Sequence, residues 1–172
     1  MKPTKTIPVR DIEECDLLFY RPSSLFGLLI KFFDSLRYGR MDIAFSHVAI
    51  AIRDSDHTLR RYDAMEGFKT GFRPSFENCY VFKLNLTIKE RHAIVRHCLS
   101  RGGSKYDKRG ILSHFTRVQE DEFCDYCSEL IKNALLNTVY WNRLQLQDKN
   151  LSPLRLYLLL RDYTIFKWLC LW

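Results

Sequence analysis

The sequence has no apolar run long enough for a transmembrane helix, which needs about 18 such residues in succession. It also lacks internal repeats, low-complexity stretches and any linker rich in proline, glycine or serine. The basic residues 1–5 are followed by an acidic stretch and not by the apolar core of a signal peptide. We therefore expect a single domain over residues 1–172, not exported by a cleaved signal, in a cytoplasmic or virion-associated protein.

Hydrophobic residues make up 47% of the chain, which is sufficient for a core of ordinary size. The net charge of +7 suits anionic partners, but the basic residues are spread along the chain. Because no zinc finger or other nucleic-acid-binding motif can be placed, a nucleic-acid partner is not expected. The six cysteines are expected to be reduced thiols, since a core of normal size needs no disulfides and no secretory signal is present.

Hydrophobic periodicity divides the chain into short strands and helices. Strands are predicted over residues 17–20, 43–52, 59–64 and 80–84. Helices are predicted from about residue 24 to Gly39, from the capping box of Thr87 and Glu90 to about residue 99, after residue 127 and after residue 152. The predicted fold is α+β, with a small antiparallel sheet packed against helices and a helical, aromatic extension from about residue 151.

His47 lies on the strongest predicted strand. Two-residue alternation separates the side chains into a core face and an opposite face: Val48, Ile50 and Ile52 on the first, and Phe45, His47, Ala49 and Ala51 on the second. The two alanines leave room for another element to approach, and we expect His47 to point into that space. A single histidine in such a place is more often structural than catalytic, so a catalytic role depends on a partner.

Cys127 is the candidate partner, because it lies where helical periodicity begins. The N-terminus of a helix presents unpaired backbone N–H groups and the positive end of the helix dipole, both of which favour a thiolate. The same N–H groups can stabilise the oxyanion of a tetrahedral intermediate. Cys79 and Cys98 lack this context, since the first borders a predicted strand and the second lies within a predicted helix.

Four short motifs occur in a fixed order: Ser46–Ile50 (SHVAI), Tyr62–Ala64 (YDA), Gly103–Asp107 (GSKYD) and Tyr126–Leu130 (YCSEL). In this order they resemble the YiiX-like hydrolases, a circularly permuted branch of the NlpC-like, papain-like superfamily in which the histidine strand precedes the cysteine helix. The resemblance covers about residues 10–137, beginning with a strand start similar to the family's. Cys15 stands where the family usually has glycine, a departure that would alter the first turn.

The resemblance implies a permuted papain-like fold and a cysteine hydrolase or acyltransferase that cleaves an amide, ester or thioester through an acyl-enzyme. Cys127 would be the nucleophile and His47 the base, with peptidoglycan-type peptides or lipid-acyl groups as substrates and no cofactor. The third member of the site would be Asp63, with Glu66 as the alternative. Tyr106 matches a tyrosine that binds the oxyanion or the substrate, although a structural role for it is equally open.

Two other functions compete with this hypothesis. The Cys124-x-x-Cys127 spacing is found in metal and redox sites, but His92 and His97 do not share a helix face and provide no second ligand pair, so no metal is expected. The alternative to an enzyme is a catalytically silent structural or binding protein, such as a virion component, that keeps the fold. The aromatic residues 165–172 either pack on the core or contact a membrane surface or a protein partner.

Overall fold

The computed structural model describes residues 11–23, 27–28, 31–32, 36, 39, 45–64, 71–73, 76, 79–101, 105–106, 124–125, 127–136, 138–144 and 151–169. The strands are β1 Leu17–Tyr20, β2 His47–Arg53, β3 Leu59–Asp63, β4 Gly71–Arg73, β5 Cys79–Phe82, β6 Lys105–Tyr106 and β7 Cys124–Asp125. The helices are α1 Ile88–Ser100, α2 Cys127–Ala134, α3 Val139–Leu144 and α4 Pro153–Leu169. Residues 27, 28, 31, 32 and 36 are also helical, and Gly39 has the left-handed φ of 64° that is common after a helix end.

Five strands form one antiparallel sheet in the order β4-β3-β2-β1-β5. β1 lies between β2 and β5, so that Tyr20 is paired with His47 on one side and with Cys79 on the other. β6 and β7 form a separate parallel pair. The small antiparallel sheet is the one that the sequence predicts; β4 and the β6–β7 pair were not predicted, because strands of two or three residues carry no periodicity.

The strand predicted over residues 43–52 begins at His47, and residues 43 and 44 lie outside the described ranges. The assignment of Phe45 to the same face as His47 is wrong. Phe45 belongs to the larger core cluster, where its ring lies 5.3 Å from that of Phe19 and 4.8 Å from that of Tyr157. Because Phe45 precedes the strand, two-residue alternation does not govern its direction.

Both faces of β2 are buried, and they belong to different clusters. Val48, Ile50 and Ile52 join the larger cluster with residues of α1, α2 and α4. Ala49 and Ala51 pack instead with a smaller set that consists of Ile12, Leu18 and Tyr20. The cluster that contains Ala49 and Ala51 is therefore different from the one that contains Cys127.

The turn before β1 has a glycine-like backbone. Cys15 adopts a φ of 72°, in the left-handed region that glycine enters without strain. Its N–H donates to the carbonyl of Ala51 at 2.7 Å, and the N–H of Ala51 donates to the carbonyl of Asp16 at 2.9 Å. Cysteine at this position therefore does not abolish the turn conformation that glycine favours.

The capping box that opens α1 is present as predicted. The hydroxyl of Thr87 accepts from the N–H of Glu90, and the carboxylate of Glu90 accepts from the N–H of Thr87. The other oxygen of the same carboxylate accepts from the N–H of Val139 at 2.8 Å. Glu90 thus caps α1 and also joins it to the start of α3.

α2 begins at Cys127, as predicted, and packs against β2 and α1. Its core face consists of Leu130, Ile131 and Ala134, all of which are buried. Burial of this face fixes the position of the helix start relative to the beginning of β2.

The first part of α4 belongs to the core. Four of its leucines are buried: Leu154, Leu156, Leu158 and Leu160. Tyr157 lies between them and contacts Phe19, Phe45 and Phe82 through its ring. The side chains of Phe166 and Trp168, and all of Trp172, lie outside the described residues, so the role predicted for the aromatic end stays a prediction. Across the described residues, no helix has the length and apolar character needed to cross a membrane.

Candidate active site

His47 is the first residue of β2 and lies at the end of the sheet where this strand begins. Its side chain is 23% exposed, and its Nε2 lies 3.4 Å from Oδ2 of Asp63. Asp63 is the last residue of β3, the neighbouring antiparallel strand. Antiparallel pairing brings the start of one strand beside the end of the next, and this places the imidazole and the carboxylate together.

Cys127 lies near His47 and is contributed by a helix instead of a strand. It begins α2, is 4% exposed, and lies close enough to His47 for its negative charge to raise the pKa of the imidazole. The structure therefore brings Cys127, His47 and Asp63 into one connected group, from a helix start and from two adjacent strands. Their catalytic roles remain a prediction at this point.

Two opposing effects set the pKa of His47. Burial, the largest, lowers it, because a charged imidazolium is poorly solvated inside the protein. The negative charge of Cys127, hydrogen bonds to Asp63 and Cys127, and the charge of Asp63 together outweigh burial and raise the pKa from 6.5 to about 9. The surroundings of His47 thus favour the protonated imidazolium.

Arg61 is a member of the site that the sequence did not reveal. Asp63 is fully buried, and Nε of Arg61 lies 2.8 Å from its Oδ2, the oxygen that also faces His47. A buried carboxylate is costly unless its charge is compensated. The available signal was the two-residue spacing of Arg61 and Asp63, which puts both side chains on one face of β3.

Tyr20 was also missed, and it connects Arg61 to His47. The guanidinium of Arg61 lies 4.9 Å from the centre of the Tyr20 ring, and this ring lies 5.7 Å from that of His47. Burial raises the pKa of the Tyr20 hydroxyl, so that it stays neutral at physiological pH. Four side chains therefore form a closed ring of contacts: Tyr20, His47, Asp63 and Arg61.

The two remaining candidate residues are Tyr106, of which the structure describes only the backbone, and Glu66. The backbone of Tyr106 pairs with that of Asp125, two residues before Cys127, but the Tyr106 side chain lies outside the described residues. Glu66, the alternative third member, lies outside the described ranges altogether. The backbone of Tyr106 is thus close in space to the start of α2, although Tyr106 and Cys127 are far apart in the sequence.

Cys15 and Cys79 lie where burial disfavours the thiolate. Burial raises the pKa of Cys15 to about 12, and burial also raises the pKa of Cys79. Cys15, Cys79, Cys98 and Cys127 are thiols and form no disulfides. Within the described ranges, no three His, Cys, Asp or Glu side chains are grouped so as to hold a metal ion.

Comparison with solved structures identifies the fold. The metalloprotein YiiX from Escherichia coli O157:H7 superposes with a TM-score of 0.54 at 15% sequence identity, over 74% of this chain and 66% of YiiX. The chain has a YiiX-like fold. The chain covers just under two thirds of YiiX, and at this identity the similarity concerns the YiiX-like fold alone. No protein-family model matches the sequence, and no curated protein is significantly similar to it.

Proposed function

We propose that this protein is a cysteine hydrolase or acyltransferase of the permuted papain-like type, with Cys127 as nucleophile, His47 as base and Asp63 as the group that orients the imidazole. One observation carries the proposal: a histidine whose Nε2 lies 3.4 Å from a buried carboxylate on the neighbouring strand is also close enough to a thiol at a helix start for that thiol to raise its pKa. The YiiX-like fold supports it, because the histidine strand precedes the cysteine helix in the order expected for a permuted enzyme.

The reaction begins with transfer of the thiol proton of Cys127 to His47. Asp63 engages Nε2 of the imidazole, which leaves Nδ1 for the thiol. The sulfur then forms a bond to the carbonyl carbon of an amide, ester or thioester, and the carbonyl oxygen takes up the negative charge. Backbone N–H groups at the start of α2 are suited to stabilise this oxyanion.

Collapse of the intermediate breaks the bond to the leaving group, which receives the proton from His47 and departs as an amine, alcohol or thiol. The product is a thioester between Cys127 and the acyl group. His47 then accepts a proton from water or from a second acceptor, which attacks the thioester and releases the free thiol. Water as acceptor makes the protein a hydrolase, and another nucleophile makes it an acyltransferase. A peptide or lipid-acyl substrate fits both outcomes.

A specific observation supports a second candidate function. Cys127 is only 4% exposed, and a substrate carbonyl must contact its sulfur directly. A catalytically silent structural or binding protein that keeps the fold would tolerate this burial, whereas an enzyme requires a path to the thiol.

An acyl-transfer assay distinguishes the two functions. The full chain is incubated with p-nitrophenyl acetate, and intact-mass and peptide mass spectrometry locate the acetyl group. The proposal expects rapid acetylation of Cys127 in the parent protein, loss of labelling in Cys127→Ala, and strong slowing in His47→Gln. Cys79→Ser serves as the matched control, because Cys79 is a described thiol outside the proposed machinery, and it should react like the parent. If Cys127 is acetylated no faster than Cys79, the protein is the silent alternative.

A further inference from the structure

Arg21 lies at the end of the sheet that holds the candidate active site. It directly follows β1, and both neighbouring strands begin at that end, β2 with His47 and β5 with Cys79. The carbonyl of Tyr20, the residue before Arg21, accepts from the N–H of Ser46, the residue before His47. The backbones that carry Arg21 and His47 are therefore neighbours.

The side chain of Arg21 lies on the face of the sheet that also faces Cys127. Its Nη2 donates to the hydroxyl of Tyr80 at 2.9 Å, and its guanidinium carbon lies 5.5 Å from the centre of the Tyr80 ring. The Tyr80 ring lies 5.1 Å from that of Phe45. Phe45 and Cys127 belong to the same core cluster, against which Tyr80 packs. Tyr80 thus holds the guanidinium on the same side of the sheet as the thiol.

The exposed guanidinium of Arg21 has no counter-ion among the described residues. Arg60, Arg61 and Arg161 each contact an aspartate, whereas the partner of Arg21 is a neutral phenol. The hydroxyl of Tyr80 positions the guanidinium without compensating its charge, and it uses only one of several N–H donors. Arg21 is therefore an oriented and accessible positive charge at the active-site end of the sheet.

Strand spacing gives the separation between this charge and the reacting atoms. Tyr80 and His47 lie on strands that are separated by β1, and neighbouring strands are about 4.8 Å apart. Two such spacings put the guanidinium, beside Tyr80, on the order of 10 Å from the imidazole. A substrate that reaches both places needs its anionic group roughly seven bonds from the carbonyl carbon that the thiol attacks.

We propose that Arg21 binds a carboxylate of the acyl substrate, so that the site favours acyl groups with an acidic end remote from the scissile bond. Acidic peptides and dicarboxylic acyl groups carry such an end. This inference rests on the proposed function, because it concerns the substrate of Cys127. A carboxylate is the expected anion, since its two oxygens match the fork of a single guanidinium.

Two p-nitrophenyl esters that differ only at the far end of the acyl chain test the proposal. The monosuberate has a carboxylate where the octanoate has a methyl group. The rate of Cys127 acylation in the full chain is measured for each ester by release of nitrophenolate, and peptide mass spectrometry confirms the labelled residue. Arg21→Gln should lower the ratio of the monosuberate rate to the octanoate rate roughly five- to tenfold, as for loss of an exposed charge-assisted hydrogen bond. A merely structural role would slow both esters alike.

The matched control is Arg53→Gln. Arg53 is also exposed and held by a side-chain hydrogen bond, from its Nη1 to the carbonyl of His57 at 2.9 Å, but it lies at the opposite end of β2 from His47. Its replacement should leave the ratio of rates unchanged. Added salt should lower the ratio in the parent protein and not in Arg21→Gln, because exposed charges are screened.

The octanoate rate reports on the proposed function and the ratio reports on Arg21, so the two can fail separately. An unchanged ratio in Arg21→Gln, or an equal fall in Arg53→Gln, would overturn the carboxylate site. If neither ester acylates Cys127, the proposed function fails and this inference fails with it. A third ester, with a phosphonate in place of the carboxylate, separates the anions: a larger dependence on Arg21 than the monosuberate shows would assign the site to phosphate-bearing substrates instead.

Discussion

Arg61 places its Nε 2.8 Å from Oδ2 of Asp63, on the same oxygen that lies 3.4 Å from Nε2 of His47. Since a guanidinium stays charged at all physiological pH values, its compensation of the buried carboxylate does not depend on the protonation of His47. The carboxylate can therefore orient the imidazole in both of its protonation states during a reaction cycle.

Replacement of this arginine should affect catalysis through His47. We expect Arg61→Gln to slow acylation of Cys127 roughly ten- to hundredfold, as expected for a misplaced catalytic group, and to alter the pH profile of the rate. Arg61→Lys should restore part of the rate, because the charge returns without the planar geometry. The control is Arg60→Gln on the same strand, which removes the surface contacts to Asp54 and Asp56. Equal rates for Arg60→Gln and Arg61→Gln would contradict the positioning role.

Cys127 should be the most reactive of the thiols toward iodoacetamide at pH 6–7. Cys127 lies beside an imidazole that can accept its proton, whereas burial raises the pKa values of Cys15 and Cys79. Peptide mass spectrometry of the folded protein gives the labelling rate at each cysteine. His47→Gln should slow alkylation of Cys127 without changing that of Cys79. Faster labelling of Cys79 or Cys98 in the parent protein would show that the nucleophile is misassigned.

The protonation of His47 should depend on Cys127. The pKa of about 9 results from contributions of Cys127 and Asp63 that outweigh burial. Cys127→Ala removes the contribution of Cys127, so the lowering effect of burial becomes relatively larger and the pKa of His47 should fall. NMR titration of the imidazole C–H signals measures the change. An unaltered titration midpoint in Cys127→Ala would show that the thiol does not interact with the ring.

The same pKa predicts how stability varies with pH. Because the pKa of His47 in the folded protein is about 9 and its usual value is 6.5, protonation of His47 stabilises the folded state fully below pH 6.5. This stabilisation is lost as the pH rises through about 9. Urea unfolding of the parent protein and of His47→Gln isolates the effect: the difference in unfolding free energy should decrease from pH 6.5 to pH 9. A constant difference across this range would contradict the raised pKa.

Cys15 provides a test of backbone strain at the first turn. Its φ of 72° is unfavourable for any residue with a Cβ, at a typical cost of about 1–2 kcal/mol. Cys15→Gly and Cys15→Ala both remove the buried thiol, but only glycine relieves the strain. We therefore expect the glycine variant to be more stable than the alanine variant by about 1 kcal/mol in urea unfolding, after the greater freedom of glycine in the unfolded chain is subtracted. Equal stabilities would show that the turn relaxes around alanine.

Local patterns along the chain are sufficient to specify several elements of the fold. β1, the capping box of α1 and the start of α2 at Cys127 agree with the structure, because side-chain periodicity and capping act within a few residues of the chain. The α+β class and the antiparallel sheet follow from these elements. Motif order and residue chemistry indicate His47, Asp63 and Cys127 as candidates, and the structure places them close together.

The side chains that surround His47, Asp63 and Cys127 depend on contacts between distant parts of the chain. Arg61 and Tyr20 lie on different strands, and their contact depends on strand order and register, which local patterns do not encode. The direction of Phe45 was set by packing against Phe19 and Tyr157, from strand and helix segments distant in sequence. The burial of the α4 leucines likewise required the sheet on which they pack. Periodicity specifies the face on which a residue lies, but only packing across the whole chain specifies what covers that face.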